Sequence, residues 1–153
     1  HGMNEDDVKR IMQEPFTMIA SDAGVRQVDD SVPHPRGYGN NARVLGQYVR
    51  NLKLISLEEA IRKMTSLPAH TFGFRDRGLI LEGFAADIVI FDEKTIADQA
   101  TFVNPHQYPL GISYVLVNGA VVLANNQMTD ARPGVGLRGP GYTETENRKI
   151  SIR

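Results

Sequence analysis

Residues 16–24 read FTMIASDAG. The first five make a short, mostly apolar run of strand length. Such a run is the expected look of a strand buried on both faces, as in a parallel sheet covered by helices. Ser21 and Asp22 follow at its C-terminal end. A carboxylate in that position, opening a long loop, has the placement of catalytic residues in parallel-strand barrels. A plainer reading competes with it. Asp in a Ser-Asp-x-Gly context commonly bonds nearby backbone amides in a turn. On the residue pattern alone the turn is the better-supported reading.

Upstream, Asn4 caps a helix with Glu5, Asp6 and Asp7 in its first turn and an apolar stripe of Val8, Ile11 and Met12. Pro15 ends it. Downstream, residues 23–42 form a long irregular stretch holding Gly24, Pro33, Pro35, Gly37, Gly39, Asn40 and Asn41. Loops of about 20 residues are uncommon in compact domains and are usually functional or disordered. A helix follows over residues 43–53, with Val44, Leu45, Tyr48, Val49 and Leu52 on one face. Ser56 and Glu59 form a capping box for another, whose apolar face is Leu57, Ala60, Ile61 and Met64. Pro68 opens a short turn that Gly73 closes.

After Phe74 the pattern becomes β. Residues 78–81 and 87–91 read as strands joined through Gly83, and residues 113–117 and 120–124 flank Asn118-Gly119, a strong hairpin signal. A polar connection over 92–112 carries Pro105 and Pro109, and the Gly/Pro-rich tail from Ala131 reads as irregular. The first half looks like one unit of a βα-repeat fold and the second like part of a small β-sandwich. The fold class is α/β. Neither half closes on itself, because a buried parallel strand needs parallel neighbours.

Composition narrows the functions. The chain has 153 residues, 23% of them charged, with a formal net charge of −1. That balance gives no reason to expect nucleic acid or an anionic membrane as partner. There is no cysteine, which rules out disulfides and thiolate metal sites and fits a cytoplasmic location. No apolar run approaches the roughly 20 residues of a membrane span. The histidines His1, His34, His70 and His106 form no His-x-His or His-Glu-x-x-His pair, so no metal ligands are written in the chain. Isolated histidines of this kind are more often hydrogen-bonded structural residues. In His34-Pro35-Arg36 the prolines at 33 and 35 stiffen the backbone and present Arg36 for a bidentate pair with a carboxylate; an ordinary surface loop with a structural salt bridge is the alternative. Arg36, Arg43, Arg50 and Lys53 together read as a solvated face.

The order of these pieces resembles the C-terminal region of the N-acyl-D-amino-acid deacylases (D-aminoacylases), within the amidohydrolase superfamily. The resemblance rests on Ser21-Asp22, His34-Pro-Arg36, Arg43-Val-Leu-Gly46, Ser56-Leu-Glu-Glu-Ala60, Met64-Thr-Ser-Leu-Pro-Ala69, Asp76-Arg-Gly-Leu79, Ala86-Asp-Ile-Val-Ile-Phe-Asp92, Asn104-Pro-His-Gln-Tyr-Pro109, Val117-Asn-Gly119 and Ala131-Arg-Pro-Gly134. It implies a (β/α)8 barrel with a β-sandwich built jointly from both ends of the chain. Residues 3–74 would supply the last strand, active-site loop and helices of the barrel. Residues 75–130 would be the C-terminal share of the sandwich, and 131–153 a tail. Asp22 matches the catalytic Asp, a general base taking a proton from a metal-bound water and passing it to the leaving amine. Arg36 matches the Arg that holds the substrate's α-carboxylate. The resemblance also implies zinc in the full-length enzyme, with ligands upstream of this segment, so the isolated chain is expected to be inactive and to bind no metal. The expected partner is an N-acyl-D-amino acid, and a homodimer or strand exchange would cover the segment's open edges. Two departures stand out: Ala23 separates Asp22 from Gly24, and Asn40-Asn41 stands where the family typically has Thr-Phe. The alternatives are a non-catalytic oligomerisation module and a fragment of a dihydropyrimidinase-like cyclic amidase; the His-Pro-Arg loop argues against the latter.

Overall fold

A computed structural model describes residues 3–24 and 31–143. Asn4 caps the first helix as its side chain suggests, accepting from the Asp7 N–H at 2.9 Å. Helix α1 (Glu5–Gln13) presents Val8 and Met12 to the core. Glu14 turns to extended backbone, as a residue before proline prefers.

Residues 16–20 follow, the run expected as the last strand of a barrel. They pair with no strand among the described residues, and Phe16 is 74% exposed. A parallel strand is buried by its neighbours, and the described chain has only one sheet, which is antiparallel and lies elsewhere. Lys63 ties the run down. The Ile19 N–H donates to the Lys63 carbonyl at 3.2 Å. The Lys63 side chain, fully buried, donates through Nζ to the Glu14 carbonyl and, at 3.1 Å each, to the carbonyl and hydroxyl of Thr17.

Helix α2 (Arg36–Arg43) starts inside the stretch expected to be irregular and runs straight into a wider π-helical segment, Val44–Asn51. The reason is tertiary. Glycine and asparagine are poor helix formers, but Gly39 and Gly46 let residues 96–98 lie directly on the helix. A Cβ at position 39 would sit 2.7 Å from the Asp98 Cβ, and one at position 46 would sit 2.7 Å from the Ile96 carbonyl oxygen. Ile96 is thereby inserted into the core with Ala42, Val44, Leu45, Tyr48, Val49 and Ala60. Gly46→Ala is expected to lower unfolding free energy by about 1–2 kcal/mol, since overpacking outweighs the gain in helix propensity. The urea midpoint, measured at unchanged slope, checks this.

Helix α3 (Leu57–Met64) is capped by Ser56 Oγ, which accepts from the Glu59 N–H at 3.2 Å. The expected box is only half realised. The Glu59 carboxylate pairs with Arg62 at 2.7 Å and lies 3.5 Å from Lys63 Nζ. The hydrogen bonds from Arg62, ahead of the charge of Lys63, hold its carboxyl at about 2, well below the usual range. Helix α4 (Ser66–Thr71) follows a kink at Thr65, and Gly73, at φ +72°, closes it as expected.

The sheet runs β1 (Ile88–Phe91), β2 (Ile112–Val117), β3 (Ala120–Ala124) and β4 (Gln127–Met128), antiparallel and in sequence order. Asn118 and Gly119 both have positive φ, as a tight two-residue hairpin turn requires. Asn125 and Asn126 repeat that conformation before β4, a hairpin the sequence reading did not anticipate. Residues 78–81 form no strand. Gly78 backs onto helix α4, and Leu79, Ile80 and Leu81 are all more than half exposed. Residues 131–143 are irregular as expected, and the rest of the tail lies outside the described residues. Among the described residues no helix is long and apolar enough to cross a membrane.

Candidate active-site loop

The end of the 16–20 run leads into Asp22, which has left-handed backbone at φ +49° and an exposed side chain. A non-glycine residue held there is uncommon, although Asp tolerates it better than most. Arg36, the first residue of α2, reaches back to it: Nη2 lies 2.7 Å from the Asp22 Oδ2. The structure thus brings together the two residues singled out as base and carboxylate clamp. The pair is solvated, so its net contribution to stability is small.

His34 supports the approach to α2. Its Nδ1 accepts from the Arg36 N–H at 3.1 Å, and its ring meets Phe102 edge-on, with centroids 4.9 Å apart. Tyr38, one turn into α2, has its hydroxyl 2.7 Å from His106 Nδ1. Its ring makes edge contacts with both His106 and Tyr108. His106 Nε2 lies 2.8 Å from the Ser31 carbonyl. Both ring nitrogens of His106 are therefore hydrogen-bonded within the fold, and His70 sits exposed on α4. What the sequence did not disclose is that residues 104–109 dock on the loop carrying Arg36. The only signal was the motif's presence in the resemblance.

The basic residues of this helix do not form a simple solvated face. Arg43 pairs with Asp98 at 3.2 Å. Arg50 donates to the carbonyls of Ile96 and Glu93 at 2.6 and 3.1 Å. Both fasten the helix to the 92–112 connection. Nearby, burial first and the Glu5 carboxylate second push the Tyr48 phenol upward, so Tyr48 stays neutral.

Among the described residues no group of three His, Cys, Asp or Glu side chains is placed to hold a metal ion. Asp22 offers one carboxylate, His34 Nδ1 is taken by backbone, and both nitrogens of His106 are engaged. A hydrolytic metal needs about three protein ligands, so these residues do not fit one. A cleft of about 650 Å³ between α3 and residues 78–89 is lined mainly by apolar side chains, including Leu57, Ile61, Leu79 and Phe84. None of Asp22, Arg36, Tyr38 or His106 borders it.

The Amidohydrolase family model matches residues 2–123. This chain belongs to the amidohydrolase family. Its similarity to the deacylase branch is equally direct. The amidohydrolase segment is 45% identical over 136 residues to an N-acyl-D-glutamate deacylase of Alcaligenes xylosoxydans xylosoxydans, covering 89% of this chain and 27% of that protein. It is 46% identical over 132 residues to a D-aminoacylase of the same organism, covering 86% and 27%. A crystal structure of N-acyl-D-glutamate deacylase from Bordetella bronchiseptica, complexed with zinc and a phosphonate mimic of the tetrahedral intermediate, matches with a TM-score of 0.78 at 48% identity. That match covers 86% of this chain and 27% of the solved one. The amidohydrolase segment therefore spans about a quarter of the length of the relatives it matches.

Proposed function

We propose that this segment is the C-terminal part of a metal-dependent hydrolase that cleaves N-acyl-D-amino acids to a D-amino acid and a carboxylate. Asp22 is its general base and Arg36 its clamp for the substrate's α-carboxylate. The observation that carries the assignment is the 2.7 Å approach of Arg36 to Asp22. In an N-acyl amino acid the α-carboxylate carbon and the amide nitrogen share one Cα, so they lie only about 2.5 Å apart by standard bond geometry. A residue that holds the carboxylate and one that hands a proton to the departing nitrogen must therefore be neighbours. The Asp22 carboxylate on the Arg36 guanidinium marks where a substrate carboxylate would be gripped. When substrate takes that place, Asp22 is released beside the amide nitrogen. It then accepts a proton from the attacking water and passes it to the amine as the C–N bond breaks.

Residues 3–74 complete a (β/α)8 barrel in this proposal, with 16–20 as its last strand, and 75–130 contribute to a β-sandwich, followed by a tail to 153. The exposed Phe16, Leu79, Ile80, Val89 and Ile90 support it, because each lies on a run of strand character whose apolar surface is left uncovered among the described residues. The zinc seen in the Bordetella relative serves the full-length enzyme through residues beyond this segment.

Arg36→Ala in the full-length enzyme tests the clamp. KM for an N-acyl-D-amino acid is expected to rise roughly 10- to 100-fold, the worth of a charge-assisted hydrogen bond, with a smaller change in kcat. Unchanged kinetics would remove Arg36 from the site.

A further inference from the structure

Residues 104–109 take no part in the proposed chemistry, yet one of their side chains holds both ends of the loop that does. The Ser31 carbonyl only accepts, so the His106 Nε2 facing it at 2.8 Å carries the proton. In the neutral ring Nδ1 is then the acceptor, and the Tyr38 hydroxyl, 2.7 Å away, is its donor. One imidazole therefore spans from Ser31 to Tyr38, at sequence separations of 75 and 68 residues. Between those two anchors lie His34 and Arg36. Tyr108 braces the Tyr38 ring from a second direction, with centroids 5.7 Å apart.

We infer that His106 and Tyr38 are positioning residues that hold the 31–38 loop so that Arg36 is already aimed when substrate arrives. This rests on the reading of Arg36 as the carboxylate clamp. With no substrate, the Asp22–Arg36 pair also ties the loop down. During turnover that pair must open, because Arg36 grips the substrate and Asp22 works on water. The His106–Tyr38 hydrogen bond uses neither group, so it persists through the exchange and keeps Arg36 from paying an ordering cost at binding.

The test is steady-state kinetics of the full-length enzyme on an N-acyl-D-amino acid. Tyr38→Phe keeps the ring contacts and deletes one hydroxyl. His106→Gln keeps an amide donor for Ser31 but loses the imidazole acceptor. Each variant is expected to raise KM about tenfold or somewhat less, with kcat within about twofold, matching the loss of one hydrogen bond. The double variant should be no worse than the poorer single, and Tyr38→Phe should add less than about twofold in an Arg36→Ala background, because all three changes disable one unit. Thermal melts show that each variant is folded. If Arg36→Ala raises KM while Tyr38→Phe and His106→Gln do not, the loop holds itself and the inference is overturned. If the two variants lower melting temperature and kcat but leave KM alone, their role is merely structural and the inference fails again. If Arg36→Ala itself leaves KM unchanged, the clamp reading falls first and takes this inference with it.

Discussion

Replacing Asp22 with asparagine in the full-length enzyme is expected to cut kcat by about 100- to 10,000-fold, the usual worth of a positioned general base. Asparagine has nearly the shape of aspartate and still offers a carbonyl oxygen to Arg36, so KM should change by only a few-fold. What it cannot do is accept and return a proton at neutral pH. Bound zinc should be nearly unaltered, since the proposal places the zinc ligands on residues beyond this segment and gives Asp22 the role of base. A variant that keeps near-normal turnover would show that the left-handed Asp22 is turn chemistry, as its Ser-Asp-x-Gly setting first suggested.

The largest expected loss of stability comes from Lys63. Its side chain is fully buried, and Nζ donates to Glu14 and Thr17 while lying 3.5 Å from Glu59. Lys63→Met keeps the aliphatic stem and removes the charge. The acceptors of the 14–17 turn then lose a buried donor, and Glu59 loses one of its cations. The expected cost is about 2 kcal/mol, because a backbone acceptor left without its buried donor usually costs about 1–3 kcal/mol, while the part-exposed Glu59 retains Arg62. Urea unfolding measures it. A cost under about 1 kcal/mol would mean that water replaces the ammonium readily. The same turn launches residues 16–20 toward Asp22, so the variant should also lose some turnover even where it remains folded.

Lys63 illustrates what was legible in the sequence and what was not. As a letter it sat among the polar positions of an amphipathic helix, and nothing local marked it as the hub between α1 and the run leading to Asp22. Signals that act within a few residues were readable: the Asn4 and Ser56 caps, the Asn118-Gly119 hairpin, and the Gly73 helix stop. Signals that depend on distant chain were not. The start of α2 at Arg36 depends on residues 96–98 pressing against Gly39 and Gly46. The π-helical run carries no pattern distinct from an α-helix with the same apolar face. Residues 16–20 and 78–81 have strand-like composition, but composition states only the surroundings a strand requires, and the described residues do not supply them. Asp22 and Arg36 were both picked out separately, and the structure added that they touch. The grip of His106 on Tyr38 and Ser31 joins points so far apart in sequence that only the fold discloses it.

Asp22 and Arg36, as proposed, serve an enzyme that opens the amide of N-acyl-D-amino acids. The most direct measurement is chiral analysis of amino acid released by the purified full-length, zinc-loaded protein from racemic N-acetyl-glutamate, N-acetyl-aspartate and N-acetyl-leucine. Free D-amino acid is expected from at least one of them, with the L-substrate left intact. Release of the L-amino acid, or ring opening of a cyclic amide such as dihydrouracil with no release from any of the three, would contradict it.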